Sequence, residues 1–298
     1  MASASASRTT PQSFLARKQR GEPIAVVTAY DLPSALAADR AGLDAVLVGD
    51  SLGMVVLGYE DTLRVTMEEM LHHCRAVSRA RTRALRIGDM PFLSYQASTV
   101  DAVRNAGRFL AEGGMDAVKL EGGRERVAAV RAILDAGIPV MGHLGLTPQS
   151  IRALGGFRPQ GVTAAAARRL LEDALALEEA GVFSIVLEAV PERVAALVTS
   201  RLSVPTIGIG AGASCDGQVL VFHDLLGFQD SLSPRFVKRY ADLLGEAERG
   251  LVAYREDVTA RRFPGPEHTY PMPDAEWEKL RADLGAELAE TREEKTRW

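Results

Sequence analysis

Four short apolar runs in this chain end in an acid: Val46-Leu47-Val48-Gly49-Asp50, Arg86-Ile87-Gly88-Asp89, Ala117-Val118-Lys119-Leu120-Glu121 and Ile185-Val186-Leu187-Glu188. Asp and Glu make up 39 of 298 residues, so eight such runs would carry about one terminal acid by chance. Carboxylates brought to one place repel unless a cation holds them. Asp and Glu are hard oxygen donors, and no His/Cys pair with zinc spacing accompanies them. The ion this set suits is Mg²⁺, which keeps several waters and leaves positions for the oxygens of a chelating substrate such as an α-keto acid. The plainer alternative is that each acid caps a following helix. For a single Asp that alternative would win; for three acids it explains less.

Other residues fall at comparable positions. Lys119 lies two residues before Glu121, so on a strand both point to one side. A lysine aimed into an interior needs an anion, either a substrate carboxylate or developing enolate, or one of the acids in an internal ion pair. His143 ends another apolar run in Gly142-His143-Leu144-Gly145 and is placed either to touch substrate or to serve as a satisfied structural residue. His72 and His73 lie on a helix and read as structural or surface residues. Gly208-Ile209-Gly210-Ala211-Gly212 follows a seventh run, where barrels often bind phosphate, though such a loop can simply permit close backbone approach.

The elements that must position these residues form a repeating alternation. Candidate strands are 24–28, 45–48, 85–88, 117–120, 139–142, 184–187, 206–209 and 219–221, near-continuously apolar as parallel strands buried on both faces are. Helical stretches separate most of them. Thr10-Pro11 starts a short helix over 11–19. Thr66-Met67-Glu68-Glu69 is a capping box leading a stripe of Met67, Met70, Leu71, Cys74 and Val77. Thr163 caps the helix 164–180, and Gly181 stands at its C′ position. Eight alternations predict an α/β fold, a closed (β/α)8 TIM barrel forming a single domain. An open doubly wound sheet is disfavoured because no Gly-x-Gly-x-x-Gly turn follows the first strand.

Around this core, residues 1–9 read as a disordered tail without the apolar stretch of a signal peptide, and 10–268 as the barrel. Beyond Phe263-Pro264-Gly265-Pro266, residues 269–298 read as an added amphipathic helix with Trp277, Leu280, Leu284 and Leu288 in phase, packed on its own subunit or on another. A net charge of −4 and pI near 5.8 give no reason to expect nucleic acid or an anionic membrane as partner. Cys74 and Cys215 match no metal or redox spacing, so a reduced, cytoplasmic setting is expected.

Val27-Thr28-Ala29-Tyr30-Asp31, Val48-Gly49-Asp50-Ser51-Leu52-Gly53-Met54, Asp89-Met90-Pro91-Phe92, Val118-Lys119-Leu120-Glu121-Gly122-Gly123, 142–149 and 207–212 occur in one order along the chain. Together they resemble the ketopantoate hydroxymethyltransferase family over about Ile24 to His268. The resemblance implies Mg²⁺ on Asp50 and Asp89, with Glu121 completing the metal site directly or through water. It implies 3-methyl-2-oxobutanoate held by Asp50, Ser51, Asp89, Lys119 and His143, and Glu188 as proton acceptor. The implied reaction is attack of the keto acid's enolate on the methylene of 5,10-methylenetetrahydrofolate, giving 2-dehydropantoate in pantothenate biosynthesis, by a homo-oligomer, typically a decamer. Arg64, where the family commonly has proline, and Val162, where it usually has a basic residue, depart from the pattern.

Two rival readings share these residues. An enzyme of the phosphoenolpyruvate mutase and isocitrate lyase type would also use Mg²⁺-binding acids on a barrel, but many of the lyases carry a catalytic cysteine loop that neither Cys74 nor Cys215 supplies. A non-catalytic metal-binding barrel would have no use for an aimed base such as Glu188.

Overall fold

The computed structural model describes residues 8–229 and 234–295, with side chains described through 285. Eight parallel strands close in sequence order into a barrel: β1 Ile24–Thr28, β2 Ala45–Val48, β3 Leu85–Asp89, β4 Ala117–Glu121, β5 Val140–Gly145, β6 Ser184–Glu188, β7 Thr206–Ile209 and β8 Gly217–Leu220. β1 pairs with both β2 and β8, which completes the ring. The open-sheet alternative is thereby excluded.

Strand phase sorts the side chains. Val27, Val46, Val48, Val118, Leu120, Ile185 and Leu187 pack in the larger buried cluster with residues of the surrounding helices, such as Met70, Cys74, Phe109 and Leu177. Their neighbours Val26, Leu47, Ile87, Ala117, Met141, Val186 and Ile209 form a separate cluster, the barrel interior. Phe14, fully buried on the helix Pro11–Arg20, belongs to this inner cluster beside the strand starts Ile24 and Leu85 and so plugs the amino-terminal end. Period two then determines what happens at the other end. Asp89 follows Ile87 by two residues, Lys119 and Glu121 follow Ala117, His143 follows Met141, and Glu188 follows Val186. All five side chains therefore face inward at the carboxyl-terminal mouth.

Four strands, β3 to β6, run further than expected, and three of them gain an acid. Asp89, Glu121 and Glu188 are the last residues of their strands rather than the first beyond them. The ladder carries on through Asp89↔Lys119, Glu121↔His143 and Glu188↔Ile209. β5 reaches Gly145 because that residue pairs with Glu188. Gly145 has φ +93°, and a Cβ there would stand 2.2 Å from the Glu188 carbonyl oxygen. Gly145→Ala is expected to strain β5 and push β6 away by at least about 2 kcal/mol, lowering Tm by roughly 5 °C or more. A melting curve within 2 °C of the parent's, by the same roughly 2–4 °C per kcal/mol scale, would contradict this.

The helix signals read from the sequence are seen. Thr10, Thr66 and Thr163 each accept a backbone N–H as N-caps, and Gly181 closes its helix in the left-handed region. Of the expected tail, residues 1–7 lie outside the described residues, while Arg8 pairs with Asp116 and the Thr9 N–H donates to the Arg83 carbonyl.

The chain divides into two compact units after Leu243, earlier than the expected boundary at 268. The helix Leu243–Thr259 contributes no buried residue. The second unit holds that helix and Asp274–Lys295. On the latter Trp277, Leu280 and Leu284 are exposed, and Leu288 lies beyond the described side chains. Among the described residues no helix is long and apolar enough to cross a membrane.

Candidate active site

At the barrel mouth Lys119 Nζ donates to both oxygens of Asp89, at 2.6 and 2.7 Å. The internal ion pair is therefore the contact Lys119 makes. The Asp50 N–H, in the loop after β2, donates to Asp89 Oδ2 at 3.3 Å. Ser51 Oγ is 2.9 Å from the hydroxyl of Tyr30, which comes from the loop after β1. His143 stands between two acids, its Nδ1 3.4 Å from Glu121 Oε1 and its Nε2 3.2 Å from Glu188 Oε2. None of the four acids caps a helix: the following helical segments are led by Ser51, Ser98, Gly123 and Pro191. The capping alternative thus fails for all of them.

The charges do not balance within the protein. Burial pushes the Asp50 carboxyl well above the usual carboxylate range, and the charges of Asp89 and Glu121 push it further. Burial also raises Asp89 even though Lys119 opposes it. For Lys119 burial acts downward, but Asp89, Glu121 and Asp50 outweigh it and hold the ammonium protonated. Asp50 is thus the acid left without a cation of its own. Glu121 Oε1 is buried without a hydrogen-bond partner. These are hard oxygen donors with unmet demand, and they suit Mg²⁺. Among the described residues no group of three or more His, Cys, Asp or Glu side chains is placed to hold a metal ion by itself. An ion there would draw its remaining ligands from water and substrate, the usual habit of Mg²⁺.

Burial and the Lys119 charge would both lower the His143 pKa, but the close approach of the Glu121 and Glu188 carboxylates, at 3.4 and 3.2 Å, raises it to about 9. The folded value lies above the unfolded one of about 6.5, so the stabilisation is complete below that pH and lost as pH rises through the folded value. The His143 ring protons should accordingly titrate near 9 in the NMR spectrum of the metal-free protein. A midpoint near the free-imidazole value of about 6.5 would contradict the double contact.

The family model for ketopantoate hydroxymethyltransferase matches residues 8–266. The chain is 60% identical over 264 residues to 3-methyl-2-oxobutanoate hydroxymethyltransferase of Moorella thermoacetica, covering 89% of this chain and 98% of that one. It is 55% identical to the Carboxydothermus hydrogenoformans protein of the same name, covering 89% and 96%. This chain belongs to the ketopantoate hydroxymethyltransferase family. It is an enzyme, a hydroxymethyltransferase. Among solved structures, a phosphonopyruvate hydrolase aligns with TM-score 0.57 over 95% of this chain and 99% of its own, at 14% identity. A 2,3-dimethylmalate lyase of the phosphoenolpyruvate mutase/isocitrate lyase superfamily aligns with TM-score 0.55 over 95% and 99%, at 16% identity. At that identity the likeness is one of fold, and the mutase/lyase reading is kept only at that level.

In this member of the family all seven residues singled out from the sequence, Asp50, Ser51, Asp89, Lys119, Glu121, His143 and Glu188, line one cavity of about 810 Å³. Sequence reasoning missed Gln149 and Tyr95. Gln149 touches Asp50 and Glu121, and the Tyr95 hydroxyl accepts the Glu121 N–H. The only available signal was that Gln149 closes the 142–149 motif. Two other expectations take different form. At Gly210 the backbone approaches Phe236 of this same chain, whose ring would lie 2.7 Å from a Cβ added there, so the loop's glycine serves internal packing. Arg64 pairs with Glu60 at the surface, and Val162 is exposed and does not line the cavity.

Proposed function

We propose that the cavity binds 3-methyl-2-oxobutanoate and 5,10-methylenetetrahydrofolate, and that Glu188 takes the C3 proton of the keto acid. The observation that carries this reading is the placement of His143. Its ring separates Glu188 from Glu121, and the Glu188 side chain keeps 16% of its surface exposed against 2% for Glu121 and Asp89. Of the acids lining the cavity, one stays partly exposed while the others are buried together, an arrangement that supports a base set apart from a metal-binding group.

In this reading Asp50 and Asp89 would hold Mg²⁺, with Glu121 completing the site directly or through water. When bound, the ion supplies Lewis acidity that stabilises negative charge on the keto oxygen. The chain's own groups do the rest. Lys119 and Ser51 orient the keto acid, with Lys119 placing a positive charge beside its anionic oxygens. Glu188 accepts the C3 proton, and C3 forms a bond to the methylene carbon. Both bonds from that carbon to the two folate nitrogens break, one nitrogen taking the C3 proton by way of Glu188 and the other a proton from water. Water supplies the hydroxyl oxygen, and tetrahydrofolate and 2-dehydropantoate result. The cavity is larger than a five-carbon keto acid requires, which leaves room for the folate donor.

We also infer a cytoplasmic homo-oligomer, a decamer. Light scattering would test it by a mass ten times 32.0 kDa. The reaction is tested by incubating purified protein with Mg²⁺ and both substrates. Formation of 2-dehydropantoate, abolished by EDTA, is the expected result; keto acid left unconsumed would overturn the proposal.

A further inference from the structure

Gln149 lies in the helical turn Pro148–Ser150 after β5, 4% exposed, and uses every hydrogen-bonding position its side chain has. Nε2 donates to Asp50 Oδ2 and to the Met90 carbonyl, both at 2.9 Å. Oε1 accepts from the Tyr95 hydroxyl at 2.8 Å and from Gln96 Nε2 at 3.1 Å. A carbonyl can only accept, so Met90 settles which end of the amide is nitrogen, and Asp50 necessarily faces an N–H. The same residue's backbone N–H donates to Glu121 Oε2 at 3.0 Å. Tyr95 ties the other side, with its hydroxyl accepting the Glu121 N–H at 3.0 Å. One residue thus grips two acids that stand 71 positions apart in the chain (50 to 121), each by a single oxygen.

We propose that Gln149 is a positioning residue for the metal-binding acids. By holding Oδ2 of Asp50 and Oε2 of Glu121 it fixes the orientation of both carboxylates. Oδ1 of Asp50 and Oε1 of Glu121, the latter 3.4 Å from His143 Nδ1 but without a hydrogen-bond partner, remain for an ion or its waters. The inference rests on the metal reading above. Without the side-chain amide, Asp50 loses its Gln149 holder while Glu121 keeps only the backbone N–H, so the two carboxylates are no longer fixed relative to each other and the ion must organise them itself. Groups that orient ligands in this way typically change metal affinity by about 10–100-fold when removed. Gln149 touches no reacting atom; it acts through Asp50 and Glu121.

The test is Mn²⁺ binding to the full-length protein, read from the electron paramagnetic resonance signal of free Mn²⁺. The metal-free melting temperature is measured in parallel to report any purely structural effect. Gln149→Leu is expected to weaken Mn²⁺ binding by about 10–100-fold. Tyr95→Phe keeps the amide but loosens its anchor, and should weaken binding by less than Gln149→Leu does. If Gln149→Leu does not fold, Tyr95→Phe carries the test alone. Weakened binding in a variant that melts like the parent supports the proposal. A folded Gln149→Leu, or failing that Tyr95→Phe, with the parent's Mn²⁺ affinity overturns it while leaving the metal site standing. A parent protein that binds no Mn²⁺ overturns the metal reading and this inference together.

Discussion

Glu188→Gln is expected to lower kcat by about 10²–10⁴-fold, equivalent to roughly 3–5 kcal/mol of barrier, with little change in KM for the keto acid. The substitution keeps the shape of the side chain and an oxygen that can still accept from His143 Nε2, 3.2 Å away in the parent. It removes only the capacity to take a proton. No neighbour can substitute: Lys119 is held protonated by three carboxylates, and His143, with its pKa raised to about 9, carries its proton at neutral pH. The acids of the metal group are buried, and each is held through at least one oxygen by Lys119 or Gln149. A kcat within about tenfold of the parent's would fall below the usual range for a general base and remove Glu188 from that role.

Asp50→Asn and Asp89→Asn should both abolish Mg²⁺-dependent turnover yet move stability in opposite directions. Asp50 has no cation of its own, and burial beside Asp89 and Glu121 raises its pKa in the fold. A carboxyl raised on folding destabilises the native state as pH climbs above the usual carboxylate value of about 4, and fully so above the folded pKa. Asparagine can still accept the Gln149 hydrogen bond. Metal-free Asp50→Asn should therefore melt higher than the parent at pH 8, by about 2–4 °C for each kcal/mol of repulsion removed, and no higher at pH 4. Asp89→Asn instead strands the buried Lys119 ammonium, which costs about 3–5 kcal/mol. Mg²⁺ at a hundred times its Kd should add about 2.7 kcal/mol to the parent and nothing to either variant. Scanning calorimetry of the three proteins at two pH values, with and without Mg²⁺, checks the set. A metal-free Asp50→Asn that melts below the parent at pH 8 would contradict the charge imbalance.

Much of this site was legible because strand phase is a local property. Once Ile87, Ala117, Met141 and Val186 are assigned to the interior, the residues two positions on must line the mouth, and these are Asp89, Lys119, His143 and Glu188. The ends of β3, β4 and β6 differ from expectation by one residue because terminal acids read as loop, whereas in the fold a neighbouring strand and the cavity chemistry hold them in the ladder. Gln149 was illegible for a different reason. Its partner Asp50 is 99 residues away, and no periodicity reports a contact between two loops. The internal pairing of Lys119 with Asp89 was one of two alternatives the sequence left open, since both require only an anion within reach. The unit boundary after Leu243 escaped because the helix Leu243–Thr259 continues the helical pattern of the barrel, and only its lack of buried residues sets it apart.

The acidic mouth and Glu188 should together generate an enolate before any one-carbon donor is involved. Proton NMR of 3-methyl-2-oxobutanoate in D₂O with catalytic protein tests this directly. The C3 proton signal should disappear with Mg²⁺ present and folate absent, EDTA should stop the loss, and Glu188→Gln should not show it. Exchange that continued in EDTA, or that survived in Glu188→Gln, would contradict the account.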